Sequence, residues 1–342
     1  MVLASLLSVI LVLTPSSHAL APSSLAAHTP KAEKSLLPLL PHELQTPHPP
    51  HPARLSQTHT RSPISVEGAG QDNMSTNDLQ RSVSKKETQV GRGKRMFAQG
   101  GLAGLGRGNV AWDLQVEYSG TTFFDGWEFF NETDPSHGLV TYVDADTAFY
   151  TGLTFWTASG VPDIQVDHWS SLPVGTPRSS VRLQSKDLFA GGLIIIDLAL
   201  MPWGCGVWPA FWTLGYDKTW PDAGEVDIIE GIMSNTNNHT LPGCTINQTA
   251  GLYTGTVGNQ LCDSTTGGSG CSISSDSATS YGEPFNSAGG GVFACLWDTD
   301  GIRIWNWNRA GIPSDISSEA PDPTTWGTPA AAFEASTCDP GY

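Results

Sequence analysis

From Trp112 onward the sequence is a succession of short aromatic and β-branched runs, each closed by Gly, Pro, Asn or Asp. The runs read TTFFDGWEFF, GLVTYVD, SSVRLQS, GGLIIIDLAL, GEVDIIEG, GGVFACLWD and GIRIWNWNRAG. Almost nothing between them shows apolar residues every three to four positions, so backbone groups must be satisfied by pairing strands. GLIIIDLAL and GVFACLW are apolar on both faces and predict strands covered on both sides, whereas IRIWNWN alternates as a half-buried strand does. About 230 residues of this kind are too many for an immunoglobulin domain. They suit two extensive antiparallel sheets, an all-β jelly-roll sandwich.

The chain ahead of Trp112 is different. Its first thirteen residues, MVLASLLSVILVL, are apolar and uncharged, and Ala19-Leu20-Ala21 fits a small-residue cleavage site. Residues 1–21 therefore read as a signal peptide, too short in its apolar part to span a membrane. Residues 22–95 are rich in Pro, Ser, Thr and His without apolar periodicity, which predicts a disordered tail, a possible propeptide ending at the dibasic Lys94-Arg95. Residues 96–342 form the predicted catalytic domain. Charge divides at the same place. Residues 1–95 carry 10 basic and 6 acidic side chains; the remainder carries 7 basic and 27 acidic ones. So acidic a body excludes nucleic acid and anionic membrane as partners and leaves neutral sugars, peptides or small molecules. All six cysteines (Cys205, Cys244, Cys262, Cys271, Cys295 and Cys338) lie in this body. In an exported chain they predict disulfides, with fifteen pairings open. Sequons at Asn131, Asn238 and Asn247 agree with a glycosylated, extracellular or cell-wall protein.

GEVDIIEG concentrates three acids, Glu225, Asp227 and Glu230, on an apolar segment between Gly224 and Gly231. Burying an unpaired carboxylate costs several kcal/mol or shifts its pKa, so the crowding calls for a reason. On a strand, Glu225 and Asp227 share one face and Val226 and Ile228 the other. Strict alternation turns Glu230 inward; a one-residue bulge at Ile228-Ile229 brings it back to the acids' side. The result is a row of three carboxylates on a rigid sheet. Two carboxyls about 5–5.5 Å apart are the arrangement of retaining glycoside hydrolysis, one attacking and one donating a proton. A solvated acidic face and a calcium site are the alternatives, though no loop carries oxygen ligands at EF-hand spacing. Ahead of Glu225, Trp208, Phe211, Trp212, Tyr216 and Trp220 fall within a short stretch. Most aromatic residues fill cores. Trp212 and Trp220, beside the acids, are the candidates for a sugar-lined cleft.

At these residues the sequence resembles glycoside hydrolase family 16, in particular the fungal, laminarinase-like endo-1,3(4)-β-glucanases. Its Glu-Val-Asp-Ile-Ile-Glu core is similar to that family's, as are WPAFWTLG, TTFFDGWEFF, DPSHGLVTYV, SVRLQS, NHTLPGC and WGTPAAAF, in order from Trp112 to Cys338. The resemblance implies a concanavalin-like jelly roll with Glu225 as nucleophile, Glu230 as acid/base and Asp227 as their assistant. It also implies Arg182, His239 and Trp220 as substrate contacts, although His239 reads equally well as a structural loop residue. The loop YDKTWPD ahead of Glu225 is longer than the resemblance leads one to expect. The chain stops at Tyr342, where relatives continue into a further strand and another cysteine, so a missing strand and an unpaired cysteine, Cys338 or another, are expected. A truncated product that does not fold is one reading of this. The expected function is a secreted, monomeric, retaining endo-β-glucanase cleaving β-1,3 or mixed β-1,3/1,4 glucans without cofactor or metal. A cell-wall transglycosylase and a glucan-binding module on the same fold are the alternatives.

Overall fold

The computed structural model describes residues 5–15, 112–231, 235–240, 242–265 and 269–339. The tail of residues 22–95 and its Lys94-Arg95 site lie outside the described residues. The strands, in chain order, begin with β1 (Ser5–Pro15), β2 (Trp112–Ser119), β3 (Trp127–Phe129), β4 (Val140–Tyr142), β5 (Thr154–Trp156) and β6 (Pro162–Ile164). They continue with β7 (Arg178–Ser180), β8 (Leu183–Ser185), β9 (Gly192–Leu198), β10 (Ala210–Leu214), β11 (Glu225–Glu230) and β12 (Asn235–His239). The last are β13 (Thr256–Val257), β14 (Cys271–Ser274), β15 (Gly291–Asp298), β16 (Gly301–Asn308) and β17 (Ala331–Glu334). Helices among the described residues are short: Ala145–Thr151, capped by Asp144, and one-turn pieces at Gly282–Ser287 and Ser314–Ser317.

The larger sheet runs β17-β16-β15-β9-β1-β6-β5, with β2 also on β1. The smaller runs β10-β11-β12-β14-β13, which places the acidic strand β11 between two neighbours. Every pairing within these two sheets is antiparallel. Ile194, Ile196 and Leu198 of β9 join Phe293 and Cys295 of β15 and Ile304 of β16 in one core. Across from them, Ile228 and Ile229 of β11 and Ile273 of β14 complete that core from the smaller sheet. Each such side chain withdrawn from water contributes about 1.5–3 kcal/mol. The alternate residues Leu193, Ile195, Val292, Ala294 and Leu296 pack on the outer face under Trp305 and Trp326. Burial on both faces of β9 and β15 is therefore real, because a second apolar layer lies outside the sandwich.

Three expectations change. TTFFDGWEFF is not a single strand: Gly120–Gly126 is a 3-10 turn and only Trp127–Phe129 pairs. The Tyr118 ring fills the space beside Gly126, where a Cβ would sit 2.3 Å from it, so only glycine fits at the end of that turn. IRIWNWN is not half-buried by alternation, since Ile302 and Ile304 face the main core while Trp305 and Trp307 pack in the outer layer. The unpaired cysteine expected at Cys338 or another is not Cys338, which bonds Cys244; Cys262 bonds Cys271, and Cys205 and Cys295 are the free thiols. The segment read as a leader supplies β1, in register with β9 from Leu7↔Leu198 to Leu13↔Leu193. Removing it on export would take that strand from the sheet.

Candidate active site

β11 carries the bulge that its sequence requires. Against β10, Phe211 pairs with Ile229 and Trp212 with Asp227, leaving Ile228 unmatched; against β12 the register skips from Asp227 to Glu230. Ile228 and Ile229 are both 2% exposed and anchor the strand in the core. The extra residue returns Glu230 to the side of Glu225 and Asp227, and the charges of all three bear on a single side chain, His239.

Each outer acid lies under an indole. Trp220 Nε1 donates to Glu225 Oε2 at 2.6 Å, and Trp208 Nε1 donates to Glu230 Oε1 at 3.3 Å. Both rings are largely exposed, 49% for Trp220 and 64% for Trp208, so they wall an open face. Asp227 between them is 2% exposed and shares a hydrogen bond with Glu225. His239, paired with Glu225 in register, sets Nε2 3.5 Å from Asp227 Oδ2. That is an ion-pair contact too long for a good hydrogen bond, and Oδ2 has no other partner among the described residues. The other ring nitrogen of His239, Nδ1, lies 3.0 Å from Ser264 Oγ.

Burial and mutual repulsion set the electrostatics. Glu225 is pushed up to about 6, chiefly by burial and then by Asp227, while the Trp220 N–H partly offsets this. Burial raises Asp227 and Glu230 as well. For His239 burial opposes the charged ring, but the Asp227 carboxylate, with Glu225 and Glu230 behind it, holds its pKa above the usual value. When protonated, His239 brings positive charge into the row of acids. Two carboxyls in one row, each raised by burial and set against different partners, can divide into nucleophile and acid.

The remaining sequence candidates fall around this row. Trp212 is half-buried, and the Arg182 guanidinium lies between its ring (4.9 Å) and that of Phe130 (4.5 Å). Arg182 Nε has no partner among the described residues. Trp220 and His239 thus meet the acid row directly, Trp212 pairs with Asp227, and Arg182 reaches the row through Trp212. Sequence reasoning missed Trp208, Phe130 and Ser264. Trp208 had a signal, its place in the aromatic run ahead of Glu225, where most rings are expected to fill the core. Ser264 had none, since it is 25 residues from its partner. A hollow of about 170 Å³ elsewhere is lined by Asp167, His168, Arg178 and Cys205 and includes none of Glu225, Asp227 and Glu230. The acid row lies on an open face instead, which suits a polymer more than an enclosed small molecule.

Paired carboxyls on the open face of a β-sandwich, walled by indoles, define a protein of glycoside-hydrolase type. Comparison narrows this. A family model described as the XgeA-like, catalytic GH16 domain matches residues 127–341, and the chain belongs to glycoside hydrolase family 16. A probable glycosidase of Schizosaccharomyces pombe is 45% identical over 235 residues, covering 67% of this chain and 55% of the relative. A probable endo-1,3(4)-β-glucanase of Neosartorya fischeri is 40% identical over 239 residues, 68% of this chain and 36% of the relative. The chain thus spans about half, or less, of these curated relatives. Among solved structures, an elongating family 16 β-1,3-glucosyltransferase is 41% identical, with a TM-score of 0.60 over 65% of this chain and 75% of that one. Laminarinase 16A of Phanerochaete chrysosporium, with β-glucans in donor and acceptor sites, is 35% identical, with a TM-score of 0.60 over 65% and 77%.

Proposed function

We propose that this chain is a secreted, monomeric, retaining endo-β-glucanase that cleaves β-1,3 or mixed β-1,3/1,4 glucans without a cofactor. The observation that carries the reading is the bulge at Ile228, which sets Glu225 and Glu230 on one face with Asp227 between them. In the first step a Glu225 oxygen attacks the anomeric carbon while Glu230 gives its proton to the departing glycosidic oxygen. A glycosyl ester forms on Glu225 and the reducing-end fragment leaves. In the second step Glu230, now a carboxylate, takes a proton from water, whose oxygen attacks the same carbon and frees Glu225. Asp227 bonds the nucleophile and raises its neighbours by repulsion. Trp220 and Trp208 flank the reacting bond, and Trp212 with Arg182 extends the wall. Export is supported by the disulfides and the sequons, whereas the apolar start of the chain serves the sheet as β1.

A second reading has specific support, because one of the solved relatives is a glucosyltransferase. It differs only in what attacks the glycosyl ester, a sugar hydroxyl in place of water. The test is incubation of the full chain with laminarin and with a mixed-linkage glucan, followed by reducing-end assay and proton NMR of the first products. New reducing ends with the β-anomer formed first support the hydrolase. Longer chains without new reducing ends support the transferase, and sugar binding with neither product would overturn both in favour of a binding module.

A further inference from the structure

We propose that Ser264 is a positioning residue of the acid row, acting through His239. The inference rests on the enzymatic reading above. Ser264 is 7% exposed and is fastened beside β12 by two backbone bonds, Ser264 N to Thr240 O (3.1 Å) and Thr240 N to Cys262 O (2.9 Å). Two residues before it, Cys262 is tied to Cys271 at the start of β14, so the segment is also anchored covalently. Its hydroxyl meets His239 Nδ1 at 3.0 Å and has the Cys262 carbonyl at 3.5 Å as an alternative acceptor.

A hydroxyl both donates and accepts. When the ring is charged, Nδ1–H donates to Oγ and the hydroxyl proton turns to the Cys262 carbonyl. When the ring is neutral, the hydroxyl donates to Nδ1. In both states Nε2 carries a proton and faces Asp227 Oδ2, the buried oxygen that has no hydrogen-bond partner among the described residues. Ser264 therefore keeps the His239 Nε2–H aimed at Asp227 Oδ2 through the titration of His239. Asp227 in turn shares a hydrogen bond with Glu225, so the chain of contacts ends on the attacking group.

The charged groups facing His239 among the described residues are Glu225, Asp227 and Glu230 across β11, with the uncharged Trp220 ring 5.8 Å away. Asp263, beside Ser264, is turned to its own loop, where it accepts from Thr265 N (2.8 Å) and Thr265 Oγ1 (2.6 Å). A ring nitrogen gains more from an acceptor when charged than from a donor when neutral. Loss of Oγ therefore lowers the pKa of His239.

The test compares the full chain with Ser264→Ala and Ser264→Thr, reading the His239 titration by NMR (assigned with His239→Gln), the melt, and the pH profile of kcat and KM on laminarin. The expected result is a His239 pKa below the parent value in Ser264→Ala, with the melt retained. We expect kcat to fall about tenfold, the loss for one hydrogen bond to a charged partner, with KM unchanged and the basic limb displaced to lower pH. Ser264→Thr keeps the hydroxyl and restores the parent titration. An unaltered His239 titration in a folded Ser264→Ala overturns the proposal, as does a lower melt with the pH profile unchanged. If the parent chain turns over no glucan, the enzymatic reading fails by itself, and the titration still decides whether Ser264 governs His239.

Discussion

Asp163 on β6 is an acid far from the row on β11, and it makes the stability of the fold depend on pH. It is 2% exposed, its Oδ1 has no hydrogen-bond partner among the described residues, and burial pushes its pKa up to about 7 from 3.8, against a side-chain hydrogen bond from Gln165. The sign follows from linkage. Below the unfolded value both states hold the proton and the carboxyl costs nothing. Between about 4 and 7 the unfolded chain releases the proton and the folded chain keeps it, so stability falls as pH rises; above 7 the loss is complete. At 1.36 kcal/mol per unit over about three units, the ceiling is about 4 kcal/mol, and relaxation around the charge reduces it to about 2–4 kcal/mol. Asp163→Asn keeps the shape and an acceptor for Gln165 while removing the charge. Urea unfolding of the disulfide-intact chain should therefore give the variant a midpoint close to the parent at pH 4 and a higher one at pH 8, with equal slopes. An equal difference at both pH values, or a less stable variant at pH 8, would refute the reasoning.

The other predictions concern the site and the core. The acid limb of kcat/KM should fall near pH 6, where Glu225 takes up a proton, and Trp220→Phe should move it to higher pH by removing the N–H that favours the carboxylate; an unmoved limb would separate that indole from the nucleophile. Glu230→Ala should lose most hydrolysis of poor leaving groups and recover with azide, which attacks the glycosyl ester without needing a base; no rescue would remove Glu230 from the acid/base role. Phe333, fully buried between the sheets, should cost about 3–5 kcal/mol on Phe333→Ala, read as a lower urea midpoint.

Much of this was legible along the chain. Runs such as GLIIIDLAL signal strands covered on both faces, and the spacing Glu225, Asp227, Glu230 requires a bulge, because five residues is an odd step on a period of two. These are local facts about side-chain direction. What was not legible depends on contacts between distant segments. Glycine at position 126, where the 3-10 turn ends, is needed because the Tyr118 ring occupies the space a side chain would take. The pairing of Cys244 with Cys338 crosses 94 residues, and nothing in the spacing prefers it. Ser264 reaches His239 only because β12 and the 262–265 segment are held side by side. Residues 5–15 read by composition as a leader, and the same run of apolar, β-branched residues also pairs as a strand. Composition alone does not separate those two outcomes.

The central claim is that the bulged strand presents Glu225 as the nucleophile. It is tested most directly by trapping the glycosyl ester with an activated 2-deoxy-2-fluoro glucan oligosaccharide and mapping the added mass after proteolysis. The account predicts a single modification on the peptide containing Glu225, at that residue, and none in Glu225→Gln. Modification at Glu230, or undiminished labelling of Glu225→Gln, would contradict it.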